Sequence, residues 1–136
     1  MSISALVIGT VLALAVGVMA TLVGLDRDRA LYPVVMIVIA ALYSLYAVIG
    51  ESTHALVVEC VVGAGFIAVA LVGFRRSLWL VAAALAAHGL FDAVHGALIR
   101  NPGVPPWWPE FCAAYDIVAA AYLAWLIRSG RIRSAA

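Results

Sequence analysis

Five apolar runs follow one another along this chain with little between them, at about 2–25, 31–50, 53–73, 77–99 and 110–128. Each is close to the roughly 20 residues that carry an α-helix across ~30 Å of hydrocarbon. A soluble domain of 136 residues has no interior large enough to hide a chain that is 67% apolar. A bilayer removes that conflict. Within it helices are required, because lipid offers backbone N–H and C=O groups no partner. The expected fold is therefore all-α: a single transmembrane domain over 1–136, an integral membrane bundle of five helices.

The breaks between the runs carry matching punctuation. Asp26-Arg27-Asp28-Arg29 separates the first two. Gly50-Glu51-Ser52-Thr53 separates the second and third, with Ser52 or Thr53 placed to cap the third helix. Phe74-Arg75-Arg76-Ser77 comes next. The stretch from Asn101 to Pro109, rich in Pro and Trp, reads as non-helical, with Pro109 suited to the first turn of the last helix.

All eight basic residues are Arg, and their distribution sets an orientation. Five crossings put Arg27, Arg29, Arg75, Arg76, Arg128, Arg131 and Arg133 on one side and leave Arg100 alone on the other. The positive-inside rule then predicts a cytoplasmic C-terminus and an N-terminus outside. Four or six crossings would scatter the same Arg. Trp79 and Trp125 fall at the inner interface and Trp107 and Trp108 at the outer one, as aromatic belts do. The first run lacks a basic leader and reads as a retained helix rather than a secretory signal. Along it Ala5, Gly9, Ala13, Gly17 and Thr21 recur every four residues, a small-residue stripe that lets another helix approach closely. A net charge of +1 implies no attraction to nucleic acid.

Against this apolar background stand seven ionisable side chains near the outer face: His54, Glu59, His88, Asp92, His95, Glu110 and Asp116. At 100° per residue His88, Asp92 and His95 share about a 60° arc of the fourth helix. At ~1.5 Å per residue Asp92, Glu59 and Asp116, on three different helices, all lie ~9–10 Å below the outer helix ends. The outer half thus holds Glu51, Glu59, Asp92, Glu110 and Asp116 against Arg100 alone. Such carboxylates cannot all stay ionised in low dielectric without compensation. Retained protons, cationic His or a metal ion would each supply it.

Two His with carboxylates and open positions form a ligand set used for Zn²⁺ and non-haem iron. Neighbouring helices can complete such a shell. The candidate metal ligands are His88, Asp92, His95 and Cys112, the last one turn before Asp116. Glu59 and Asp116 are the candidate catalytic bases, with a lipid-like substrate reaching them from the bilayer. The cofactor expected is a divalent ion, Zn²⁺ or iron. His54 lies ~140° round its helix from Glu59 and reads as a rim residue. Glu110 sits where the helix dipole favours a carboxylate, and Cys60 reads as a small buried apolar side chain.

Two other functions use the same residues. A cation or proton transport or sensing module would employ them as a relay. A structural subunit of a larger complex or homo-oligomer would use them for packing, with Asp92 bonded to His88 or His95 and Asp116 to Tyr43 or Tyr46.

His88-x-x-x-Asp92-x-x-His95, the Trp107-Trp108-Pro109 link and Cys112-x-x-x-Asp116 together resemble a family of small multi-pass bacterial membrane proteins of unknown function. The likeness covers about 88–125. Members carry Trp before the helix-4 Asp and Pro after the Cys-Asp pairing, where this chain has Phe91 and Ile117. The resemblance implies a bacterial inner (plasma) membrane location and functional roles for His88, Asp92, His95, Cys112 and Asp116. A looser similarity, to membrane hydrolases that hold Zn²⁺ with three His and an Asp, lacks their Ser-containing motif.

Overall fold

The computed structural model describes residues 2–133. It contains helices α1 (Ile3–Val23), α2 (Leu31–Ile49), α3 (Thr53–Arg75), α4 (Leu78–Leu98) and α5 (Trp108–Arg128). All five are long and apolar enough to cross a membrane. Ser2, Ser52 and Ser77 cap α1, α3 and α4, each accepting a backbone N–H from the first turn. The last helix starts two residues earlier than its sequence suggested. Trp108 and Pro109 are both in its first turn, where the N–H that Pro lacks has no helical partner in any case.

The packing order departs from the chain order. α2 packs on α3, α3 on α4 and α4 on α5, while α1 packs along α5 rather than along its chain neighbour α2. The small-residue stripe explains this. Ala5, Gly9, Ala13 and Gly17 are buried. A Cβ on Gly9 would collide with the Phe111 carbonyl, and one on Gly17 would lie 3.0 Å from the Tyr122 ring. Thr21, last of the stripe, donates to Asp26 Oδ2 at 2.7 Å and bonds Tyr122 O–H at 3.1 Å. The close approach that the stripe permits is thus made within the chain.

α4 is the central helix, with half of its span buried. Along the bundle axis the interior divides in two. Toward the arginine-rich end it is aliphatic, with Met36, Leu78, Val81, Leu85, Leu123 and Leu126 essentially inaccessible. Toward the end bearing the 99–107 link it is polar: Glu59, His88, Asp92, His95 and Asp116 are each 2% exposed or less. That link closes over the polar end. A Cβ on Gly103 would overlap the Tyr46 carbonyl, so only glycine lets the link sit against the end of α2.

Cys60 differs from its expectation. It is exposed on α3, its thiol 3.4 Å from the Ser44 hydroxyl. The buried face of α3 runs through Ala55, Glu59 and Gly63, and the next residue after Glu59 is turned ~100° away from it. A surface that meets lipid has no need to hide such a side chain.

Candidate metal centre

The polar end is built around α4. His88 and Asp92 stand one turn apart on its buried face, and α5 brings Asp116 to them. That approach depends on Gly89, where a Cβ would meet Ile117 Cγ1 at 3.0 Å, the Ala113 carbonyl at 3.1 Å and Asp116 Cβ at 3.2 Å. With hydrogen there instead, His88 Nδ1 lies 2.8 Å from Asp116 Oδ2 and 3.4 Å from Asp92 Oδ2. One potential ligand atom from each of His88, Asp92 and Asp116 falls within 4.8 Å of the others, and all three side chains are buried.

Tyr43 of α2 closes the group from the far side, donating its hydroxyl to Asp92 Oδ1 at 2.8 Å. The other oxygens are less well served. Asp92 Oδ2 and Asp116 Oδ1 are buried without a hydrogen-bond partner. Among the described residues no Arg pairs with either carboxylate. An imidazolium would offset one of the two charges and leave the second uncompensated in a low-dielectric interior.

A second polar unit lies beside the first. His95 Nε2 is 2.7 Å from Glu59 Oε1 of α3, and Asn101 Nδ2 donates to the same oxygen at 3.0 Å. Asn101 also donates to the Tyr43 carbonyl at 3.0 Å and accepts from Gly103 N–H at 3.3 Å. The His95 imidazole stacks on the Tyr43 ring, centroids 3.9 Å apart and planes 11° from parallel. Phe91 meets both rings edge-on. Tyr43 therefore joins the two units, with its hydroxyl on Asp92 and its ring on His95.

The fold sorts the candidates read from the sequence into distinct places. His88, Asp92 and Asp116 form the compact donor group. Glu59 and His95 pair with each other outside it. Cys112 is buried one turn before Asp116 but lies outside the compact group. His54 is exposed on α3. Glu110 lines a cleft of about 360 Å³ with Leu6, Gly96, Pro106, Pro109 and Asp92, whose side chain is itself inaccessible. Asn101 was not among the candidates, since nothing in its spacing tells a link amide that reaches back into the bundle from one facing solvent.

The chain matches no protein-family model, no curated protein and no solved structure.

Proposed function

We propose that this chain is a membrane protein holding a divalent metal ion, Zn²⁺ or iron, between His88, Asp92 and Asp116, and that the ion is the reactive centre of a membrane enzyme. The observation that carries the reading is a pair of buried carboxylates around one imidazole, each with an oxygen that lacks a hydrogen bond, Asp92 Oδ2 and Asp116 Oδ1, and no Arg paired with either among the described residues. Such atoms are expensive unless a shared proton or a positive charge lies between them. A bound divalent ion would supply that charge and could activate a water or polarise a substrate oxygen.

The donor set fits. One His and two carboxylates leave coordination positions open, as catalytic sites require. Donors across an ion with bonds of ~2.1 Å stand at most ~4.2 Å apart. Gathering atoms now within 4.8 Å of one another therefore takes a shift well under the length of a bond. The Tyr43 hydroxyl on Asp92 is the kind of outer contact that orients a ligand. His95 and Glu59, bonded to each other, act on the site through Tyr43. The Arg distribution supports a cytoplasmic C-terminus, and the membrane proposed is a bacterial inner membrane. The metal group then lies toward the outer leaflet, beside the Glu110 cleft.

A structural-subunit reading keeps one specific support: Tyr43, Asn101, Glu59 and His95 tie α2, α3, α4 and the 99–107 link together by hydrogen bonds. Elemental analysis of the purified full chain separates the two. Stoichiometric Zn or Fe that is lost in Asp116→Asn supports the metalloenzyme. A metal-free wild type whose Asp116→Asn variant merely melts earlier leaves the structural subunit.

A further inference from the structure

The donor group is bordered by a second hollow, of different character from the Glu110 cleft. Because α1 packs on α5 and not along α2, a groove of about 380 Å³ remains between α2 and the α1–α5 pair. Its walls are almost wholly apolar. Leu12 of α1 and Val34 and Val38 of α2 form its lips and are exposed on the surface that meets lipid. Its floor on α5 is formed by Cys112 and Asp116, so whatever fills the groove lies against a residue of the donor group, the carboxylate itself being inaccessible.

Two buried polar atoms belong to residues of this wall. Trp108, at the 99–107 end, has a buried indole N–H with no hydrogen-bond partner, and Asp116 Oδ1 is the unpartnered carboxylate oxygen described above. Water does not settle in a dry apolar channel that offers so few partners. The medium at the lips is hydrocarbon. A groove of about 380 Å³ admits a slender chain and is too small for a helix ~10 Å across.

The depths agree with such an occupant. Along α5, at ~1.5 Å per residue, Trp108 stands at the hydrocarbon boundary and Asp116 ~12 Å below it. A phospholipid seated in the groove therefore brings its ester carbonyls to the level of the Trp108 N–H and its mid-chain carbons to the level of Asp116. We infer that the groove between α2 and α1–α5 binds one acyl chain of a bilayer phospholipid and presents the middle of that chain, not its ester, to the His88–Asp92–Asp116 group. The inference deepens the metalloenzyme reading by giving the class of molecule that reaches its site.

The test uses the purified full chain in phosphatidylethanolamine and phosphatidylglycerol vesicles. The vesicles are doped with a phospholipid bearing a photoactivatable diazirine either mid-chain or beside the ester. The expected result is mid-chain labelling concentrated on the α5 segment around Cys112–Asp116 and the α2 segment around Val38. The ester-proximal probe is expected to mark the Trp108–Phe111 segment instead. Val38→Trp, which fills the groove, is expected to reduce mid-chain labelling of α5 to the level seen on the lipid-facing side of α3 around Val57 and Val61. Mapping on the wild type stands on its own if that variant fails to fold. Labelling spread evenly over all lipid-facing helices, or identical from both probes, overturns the inference. So does crosslinking of two chains through the groove. Metal content of the same preparation keeps the two readings apart: metal with no groove labelling removes only the acyl site, and labelling with no metal removes only the metal centre.

Discussion

Replacing Tyr43 by Phe removes a single oxygen from the core of the site. The ring that stacks on His95 at 3.9 Å is retained, as is the edge contact with Phe91. What disappears is the 2.8 Å hydrogen bond to Asp92 Oδ1, the one hydrogen bond to that carboxylate among the described residues. A bond to a charged group is worth about 1.5–3 kcal/mol in water-soluble proteins. Interhelical bonds in membranes average about 0.6 kcal/mol, with a maximum near 1.7. The metal-free variant should therefore lose roughly 1–2 kcal/mol of stability. Its effect on metal binding should be larger in proportion. Loss of a contact that orients a ligand typically costs ~10–100-fold in affinity, equivalent to ~1.4–2.7 kcal/mol. The assay is competition with a chelating dye in detergent micelles, alongside thermal unfolding followed by Trp fluorescence. An affinity equal to that of the wild type, with melting lowered, would falsify the claim that Asp92 is a metal ligand oriented by Tyr43.

Other consequences are as direct. Gly89→Val should separate α4 from α5, because the nearest atoms it meets include the Ala113 carbonyl and Asp116 Cβ. Overpacking of ~1–3 kcal/mol with loss of metal retention is expected, measured by melting temperature and elemental analysis. Asn101→Ala deprives Glu59 Oε1 and the Tyr43 carbonyl of a shared donor. It should cost about 1 kcal/mol per lost bond and make the 99–107 link more susceptible to proteolysis. If the ion binds the folded chain alone, chelation should lower the melting temperature. The stabilisation removed is about 2.7 kcal/mol where the ion had been present at ~100 times its Kd. A chelator-insensitive melt at saturating metal would count against the site. Reporter fusions should show an outside N-terminus and a cytoplasmic C-terminus; the reverse would contradict the Arg-based orientation.

The helices were legible because bilayer crossing imposes a length and a composition that any reader of the chain can count. Their existence and approximate limits came from the apolar runs, and Ser52 from its cap chemistry. Asp92, Glu59 and Asp116 were legible as sharing one level because depth along a membrane helix is simple arithmetic. Rotation and lateral order stayed open. The periodicity of α4 placed His88, Asp92 and His95 on one face but did not assign a partner to His95. Its partner is decided by α3, which presents Glu59 to it, and by Tyr43, whose ring fills the space between. The small-residue stripe of α1 announced a close neighbour without naming it. α5 takes that place because the Phe111 carbonyl and the Tyr122 ring fit against Gly9 and Gly17. The groove beside α2 is a consequence of that choice. Asn101 stayed hidden because its role depends on how the link folds back, which Gly103 permits and no spacing reveals.

X-ray absorption at the K edge of the ion retained by the full-length protein tests the metal centre most directly. The expected spectrum shows nitrogen and oxygen neighbours at ~2.0–2.2 Å with the multiple scattering of one imidazole, and no sulfur. A sulfur neighbour at ~2.3 Å, marking Cys112 as a ligand, would contradict the His88–Asp92–Asp116 centre. So would the second imidazole that His95 would contribute, or a preparation that retains no ion at all.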